Sequence, residues 1–280
     1  MRVPDELRHT VCFVAVRLES GEFRFVGTAF LIARPFANDP DKAFVYTVTA
    51  RHVVDGARDL GADRLYLRGT SRTGDGQWWE TGLADWRFHP AGPSVDVALL
   101  RAGPSREHFD FRVLPLSMIT TAERLTSLDL GPGDEVAIIG LFAPHAGTQR
   151  NIPIVRVGTI AGQPEEPLQT TLGPMEAYLI EARSIGGLSG SPVLVHEPAV
   201  RRSGGGIQIG EPALHLLGLM HGHFDVNPGG STLPSQPSAQ EARINMGIGI
   251  VVPALRILEI LDLPEVRAAE AEIEAAAGGH

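Results

Sequence analysis

The sequence is poor in features on which several classes of protein depend. Only one cysteine, Cys12, stands among the 280 residues, so no disulfide can form within the chain and the fold must depend on its core. Acidic residues (33) outnumber Lys and Arg (24), which gives a formal net charge of −9. This balance argues against a general nucleic-acid binder, because such proteins present a basic face.

Long hydrophobic segments are missing as well. No apolar run is long enough to span a bilayer, and the N-terminal residues lack the apolar stretch of a secretory signal. These absences predict a cytoplasmic protein that has neither nucleic acid nor membrane as a partner.

What the sequence has in quantity is glycine (32) and proline (21), placed as turn clusters between short runs of alternating apolar residues. This pattern is typical of all-β barrels and sandwiches. It predicts two sets of strands, at residues 11–18, 22–33, 43–50, 64–68, 77–88 and 95–101, and at residues 135–142, 152–161, 176–182, 191–195, 214–221 and 246–252.

The remaining segments complete the predicted organisation. Residues 102–130 have the composition of a connector, residues 254–261 after Pro253 are predicted to form a helix, and the Ala/Glu-rich tail over 265–280 is expected to fray. We therefore expect three parts: an N-terminal β domain over 1–118, a C-terminal β domain over 119–252, and a helix with its tail over 253–280.

Ser189 lies between glycines in the sequence GLSGSP, residues 187–192. A turn built on glycines lets the backbone come close to a substrate and can point successive N–H groups at one place, as an oxyanion hole requires. The alternative is an ordinary Gly/Ser turn between strands.

Two other local sequences carry chemistry. His52 follows an apolar strand in TARHVV, residues 49–54, and an exposed strand end suits a general base; the alternative is a lone surface histidine. Asp96 opens the apolar strand DVALL, residues 96–100. A buried carboxylate needs a partner, which is either an arginine or backbone amides, or a histidine ring held in one tautomer.

The order His, Asp, Ser along the chain is that of chymotrypsin-type enzymes. The motifs GTAFLI (residues 27–32), TARHVV, DVALL and GLSGSP resemble the GxGF, TAxHV, DxALL and GxSGxP motifs of the trypsin/chymotrypsin superfamily, specifically its bacterial trypsin-like peptidases. The resemblance extends over about residues 10–260. It implies an all-β fold of two six-stranded antiparallel barrels with a C-terminal helix, and a site in the cleft between the barrels.

The resemblance also implies a role for each residue. Ser189 would be the nucleophile that forms an acyl-enzyme, His52 the general base and Asp96 its orienter, while the N–H groups of Gly187 and Ser189 would form the oxyanion hole. The implied partner is a protein or peptide substrate, with no cofactor or metal, and a regulatory protein partner is left open. Leu188 stands where many secreted members have an Asp that pairs with a new N-terminus, so activation by processing is not expected.

The sequence gives fewer indications of the specificity pocket than of the catalytic residues. By the same resemblance, Arg183 lies at the pocket base, six positions before Ser189, and the strand holding His221, Gly222 and His223 forms the pocket wall and pairs with the substrate backbone. Basic groups there would favour an acidic or Gln-like side chain before the cut. The alternative is that Arg183 faces solvent and the histidines pack against the loop.

Two other functions stay open. The sequence HGHFD resembles the metallo-β-lactamase motif and offers His221, His223 and Asp225 as metal ligands, although Val226 stands where that motif has its final His. The second alternative is a non-catalytic binding module on a protease fold, because a fold does not fix a function.

Overall fold

β-Strands form most of the regular structure in the part of the chain that the computed structural model describes, which is residues 1–183, 186–203, 206–226, 232–234 and 244–277. The strands are β1 (Val11–Arg17), β2 (Phe23–Pro35), β3 (Ala43–Thr49), β4 (Arg64–Thr70), β5 (Gly76–Gly82), β6 (Arg87–Phe88), β7 (Ala98–Leu100), β8 (Leu114–Pro115), β9 (Glu135–Gly140), β10 (Ile154–Gly162), β11 (Leu168–Thr170), β12 (Gly173–Met175), β13 (Tyr178–Glu181), β14 (Pro192–Glu197), β15 (Val200–Ser203), β16 (Gly206–Ile209), β17 (Ala213–Val226), β18 (Thr232–Pro234) and β19 (Ile244–Pro253). The α-helices are α1 (Arg51–Asp59), α2 (Ala122–Ser127), α3 (Leu255–Leu261) and α4 (Pro264–Ala277), and short 3₁₀ helices cover Asp5–Thr10, Leu83–Asp85, Leu116–Met118 and Ala143–His145.

The strands of the first half form one sheet in the order β5-β4-β1-β2-β3-β7-β6, with β8 parallel to β2. β1 is apolar without alternation because both of its faces are covered: six of its seven residues are buried. Phe13 packs with Leu141 of the second half, whereas Val14 lies in the main core.

The second half contains a closed barrel. Its strands follow the order β14-β9-β10-β13-β19-β17, and β17 pairs back with β14, so six strands close on themselves, with β18 added outside β17. The chain is therefore mostly β, and one of the two predicted six-stranded barrels is confirmed. The expectation of a second closed barrel is not met in the pairing of the first sheet, whose order is open with β5 and β6 at its ends.

The main core joins the two sheets. Val48 and Leu99 of the first sheet belong to the same buried cluster as Ile139 and Leu216 of the second. The connector is tied to the barrel where the N–H of Thr120 donates to the carbonyl of Leu216 at 3.0 Å. The shared core includes Val53 and Val54 of α1 and Ala98 of β7.

The C-terminal helix is fastened to the first sheet by a buried polar network. Glu270 of α4 is 3% exposed and accepts hydrogen bonds from Arg34 at 3.0 Å and from the Tyr46 hydroxyl at 2.6 Å. Arg34 also pairs with Asp262 at 2.7 Å. The tail that was expected to fray is therefore helical through Ala277, because these contacts hold its buried carboxylate. No helix in the described residues combines the length and apolar character needed to cross a membrane.

Cys12 is a buried apolar side chain and not a reactive thiol. It is 2% exposed, and its Sγ lies 3.7 Å from the carbonyl oxygen of Ala29. Burial raises the pKa of the thiol to about 12, so the thiolate does not form near neutral pH.

We expect Glu270→Gln to lower the free energy of unfolding by about 1–3 kcal/mol. Gln keeps the shape of the side chain but removes the charge that compensates the buried guanidinium of Arg34. Urea unfolding followed by circular dichroism measures the change. The matched control Glu272→Gln alters an exposed carboxylate of the same helix and is expected to change stability by less than about 0.5 kcal/mol; equal stabilities of the two variants would contradict the account.

Candidate active site

Asp96 is the buried centre of the site. Its side chain is 0% exposed, and its Oδ1 accepts the backbone N–H of His52 at 2.8 Å. His52 is the second residue of α1, and the residue before that helix, Ala50, supplies no side-chain acceptor. Asp96 therefore caps α1 from a distant part of the chain and places a negative charge at the positive end of the helix.

The ring of His52 binds the same carboxylate. Its Nδ1 lies 2.7 Å from Asp96 Oδ2. Because an ionised carboxylate can only accept hydrogen bonds, Nδ1 carries the proton and Nε2 of the neutral ring is left as a base. The side chain of His52 is 32% exposed, so part of the ring stays accessible.

A second histidine, unforeseen at this place, also binds the carboxylate. His221 Nδ1 lies 2.6 Å from Asp96 Oδ2, and the rings of His221 and His52 meet edge to face with their centroids 5.3 Å apart. The side chain of His221 is 9% exposed. The expectation that His221 lines the specificity pocket is therefore corrected: its side chain is turned to Asp96.

These contacts set the protonation of the site. Burial alone would raise the pKa of Asp96, but the charge of His52 and the hydrogen bonds from both histidines outweigh it and hold that pKa well below its usual range. For His52, burial disfavours the cation, yet the charge and hydrogen bond of Asp96, with the more distant charge of Asp55, raise the pKa above 6.5. The site therefore keeps Asp96 ionised, and His52 binds its proton more tightly than a histidine that is free in water.

Ser189 lies in a turn that its flanking glycines make possible. Gly187 and Gly190 have φ values of +101° and +81°, in the left-handed region that glycine adopts at no steric cost. Gly190 also has no room for a side chain, because a Cβ would lie 2.3 Å from the carbonyl oxygen of Thr28 and 2.3 Å from Thr49 Oγ1. The nucleophile loop is thus pressed against β2 and the end of β3, next to the start of α1.

Thr28 fastens this loop to the first sheet. Its N–H donates to the carbonyl of Ser189 at 2.9 Å, and its Oγ1 donates to the carbonyl of Gly187 at 2.8 Å. The same Oγ1 accepts the N–H of Leu141 at 2.9 Å. Thr28 belongs to the GTAFLI motif, but the motif does not predict that its side chain binds the nucleophile loop, because this contact forms only in the folded chain.

The hydroxyl of Ser189 has a different partner from the expected one. Its Oγ donates to the carbonyl of His221 at 3.3 Å, and among the described residues it makes no hydrogen bond with His52. The N–H groups of Gly187 and Ser189 likewise have no acceptor within the described residues. The structure joins His52 to Asp96 directly and joins Ser189 to the pair through His221.

A family model described as a trypsin-like peptidase domain matches residues 27–200, which is more than half of the chain. The chain belongs to the trypsin-like peptidase domain family. The matched range contains His52, Asp96 and Ser189, whereas His221 lies beyond it. The resemblance inferred from the sequence motifs is thereby confirmed.

Comparison with other proteins adds the fold. A solved structure described as the apo MamO protease domain from Magnetospirillum magneticum superposes with a TM-score of 0.52, at 15% sequence identity, covering 91% of this chain and 96% of that one. At this identity the likeness concerns the fold alone. No curated protein sequence matches the chain significantly.

The other residues expected in the pocket of this trypsin-like peptidase domain are accessible. Arg183 is exposed, and Gly222 and His223 are partly exposed. His223 Nε2 lies 3.2 Å from Asp225 Oδ1, and burial lowers the pKa of His223 although the charge of Asp225 opposes this. The leucine that replaces the processing-type aspartate, Leu188, is fully buried in the barrel core.

The metal-hydrolase alternative named three residues whose side chains the structure does not bring together. It requires the side chains of His221, His223 and Asp225 to converge, but His221 binds Asp96 while His223 pairs with Asp225. Within the described residues, the group of possible ligands that does converge is His52, Asp96 and His221, whose ligand atoms lie within 4.8 Å of one another. Nδ1 of each histidine is hydrogen-bonded to Asp96 Oδ2.

We expect Asp96→Asn to lower the pKa of His52, because the charge and the hydrogen bond of Asp96 both raise it. An NMR titration of the His52 ring measures the change. The control Asp55→Asn removes a weaker contribution from the same helix and is expected to lower the pKa less. An unchanged His52 titration in Asp96→Asn would contradict the electrostatic account.

The stability of the protein should depend on Asp96 in a defined pH range. Because folding lowers the pKa of Asp96, its contribution is complete above the usual carboxyl pKa of about 4 and is lost as the pH falls below that value. The difference in unfolding free energy between wild type and Asp96→Asn is therefore expected to be larger at neutral pH than in acid. Urea titrations across this range measure it, and a difference that grows in acid would contradict the assignment.

Proposed function

We propose that the chain is a serine endopeptidase that cleaves peptide bonds through an acyl-enzyme on Ser189. The observation that carries the proposal is the double hydrogen bond of His52 to the buried carboxylate of Asp96, at 2.8 and 2.7 Å. This arrangement fixes the ring in the tautomer that leaves Nε2 as a base. Membership of the trypsin-like peptidase family supports the same reading.

The proposed reaction has two halves. Ser189 Oγ bonds to the scissile carbonyl carbon while its proton passes to His52 Nε2, and Asp96 stabilises the imidazolium. The carbonyl oxygen, now negative, accepts hydrogen bonds from the N–H groups of Gly187 and Ser189. The C–N bond then breaks and His52 returns the proton to the leaving amine. Water attacks the ester carbon in the same way, giving a proton to His52. The bond from Ser189 Oγ to the acyl carbon then breaks, His52 returns the proton to Oγ, and the acid is released.

One step must precede the attack. The Ser189 hydroxyl donates to the carbonyl of His221 and has to change its acceptor to His52 Nε2. Hydrogen bonds of unliganded catalytic sites are often long or misaligned and form fully only with substrate. If the hydroxyl never made this exchange, the chain would be a non-catalytic binding module on a peptidase fold, and the Ser189–His221 contact is the observation that favours this second candidate.

β17 offers a place for an extended substrate. One of its sides pairs with β19 from Gly218 to Val226, while the other side pairs with β14 as far as Leu219 and with β18 from Phe224 onward. Among the described residues, 221–223 have no strand partner on that second side. We propose that a protein or peptide substrate adds there as a strand, beside Ser189.

The pocket next to this strand sets the proposed preference. The exposed guanidinium of Arg183 is a hydrogen-bond donor that matches an acidic or glutamine side chain before the cut. The partly exposed ring of His223, whose Nε2 faces Asp225, is proposed to line the same pocket. Gly222, which precedes His223, is partly exposed and has no side chain to block the substrate.

Labelling with a fluorophosphonate, read by intact mass, tests the proposal. We expect one adduct on wild type, none on Ser189→Ala, and a rate about 10³–10⁴-fold lower in Asp96→Asn, since that change disturbs the tautomer of the base. The rate should rise with pH through a midpoint above 6.5, because neutral His52 is required and its pKa is raised.

The neighbouring serine supplies the control. Ser191 is buried and its Oγ has no hydrogen-bond partner in the part of the chain that the structure describes, so Ser191→Ala should keep the adduct. A wild-type chain that takes no label at any pH near neutrality would refute the endopeptidase and leave the binding module.

A further inference from the structure

His221 owes its orientation to a break in strand pairing. Met220 pairs with Val251 of β19 and Gly222 pairs with the next residue, Ile250, so His221 has no partner residue on β19 and forms a β-bulge. Bulges re-aim side chains and are frequent beside active sites. This one directs a nearly buried ring to Asp96.

Both backbone groups of Met220, the residue before the bulge, bind the nucleophile loop. The carbonyl of Met220 accepts the N–H of Gly190 at 2.8 Å, and the N–H of Met220 donates to the carbonyl of Ser191 at 2.9 Å. The next carbonyl, that of His221, accepts the Ser189 hydroxyl at 3.3 Å. His221 therefore contacts the nucleophile through its backbone and the buried carboxylate through its side chain.

We propose that His221 is a positioning residue of the active site. Its Nδ1–H holds the Asp96 carboxylate in place and compensates part of the negative charge of that carboxylate, which His52 would otherwise compensate without a second ring. Its effect on catalysis rests on the proposed function, whereas its effect on the protonation of His52 does not.

His52 and His221 share one oxygen of the Asp96 carboxylate. Oδ2 of Asp96 accepts N–H groups from both His52 and His221, at 2.7 and 2.6 Å. A carboxylate whose charge is shared between two donors stabilises protonated His52 less than a carboxylate with one ring donor.

Other charged groups nearby have partners of their own. Asp55 of α1 acts on His52 from a distance but is bound to Arg51 at 3.0 Å and to Arg58 at 2.6 Å. Asp96 is therefore the group through which His221 acts on His52. The charged and titratable groups next to these three residues on α1 and β17 are Asp55, Arg51, Arg58, His223 and Asp225.

Two variants separate positioning from packing. His221→Asn places an amide N–H where Nδ1–H was, whereas His221→Leu keeps apolar bulk and removes the donor. We expect the pKa of His52, followed by NMR titration, to rise in His221→Leu and to stay closer to the wild-type value in His221→Asn. His215→Gln is the control, because His215 lies on the same strand and pairs with a different carboxylate, that of Glu197.

The wild-type spectrum gives a test that depends on no variant. Ring N–H protons bound to a buried carboxylate are expected at low field for both His52 and His221. A wild type without the His221 signal, or a His52 titration that is the same in wild type, His221→Asn and His221→Leu, would overturn the proposal.

Fluorophosphonate labelling connects the inference to catalysis. We compare the labelling rate below neutral pH with the labelling rate above it. In His221→Leu the ratio of these two rates should fall about threefold or more relative to wild type, whereas in His221→Asn the ratio should stay close to the wild-type value. If wild type takes no label while the His52 titration responds to His221→Leu, the endopeptidase fails and the charge sharing stands. If wild type is labelled and the titration does not respond, the endopeptidase stands and the role of His221 fails.

Discussion

The site depends on one buried negative charge. Asp96 has no access to water, and burial of an uncompensated carboxylate costs several kcal/mol in order of magnitude. Three N–H groups compensate it: the backbone and ring of His52, on α1 of the first half, and the ring of His221, on β17 of the barrel. The same charge therefore caps a helix, fixes a tautomer and ties the two sheets together at the site.

The nucleophile loop reaches this centre because the first sheet holds it there. Thr28 binds the carbonyls of Gly187 and Ser189, and Gly190 fits against Thr28 and Thr49 with no space for a methyl group. The loop that leads into a strand of the barrel is thus positioned by strands of the other sheet. Residues more than 130 positions apart become neighbours through backbone contacts that do not depend on a substrate.

Much of this could be predicted from local patterns. The alternation of apolar residues gave most strands, and the short motifs around His52, Asp96 and Ser189 marked the segments that the fold brings together. The position of His221 could not be predicted, because a one-residue bulge reverses the face on which a side chain lies and alternation does not show where a bulge falls. One signal was available in the sequence. The apolar strand before His221 indicates that this histidine is buried, and a buried histidine needs a hydrogen-bond partner.

Two other features depend on distant partners. The Ala/Glu-rich tail has the composition of a solvated segment. Glu270 is nevertheless buried, and two of the groups that bind its carboxylate, the side chains of Arg34 and Tyr46, come from far away in the chain. Closure of a sheet into a barrel depends on the pairing of its end strands, which β14 and β17 make and β5 and β6 do not. Neither kind of contact can be predicted from the local sequence, because each joins residues that are far apart in the chain.

The most direct test of the central claim is a crystal structure of the chain after reaction with a peptide boronate. The account predicts a tetrahedral boron bonded to Ser189 Oγ, one boron oxygen within hydrogen-bond distance of the N–H groups of Gly187 and Ser189, and both histidine rings still bound to Asp96. A structure in which Ser189 stays unmodified on the carbonyl of His221, with the peptide bound elsewhere or not at all, would contradict it.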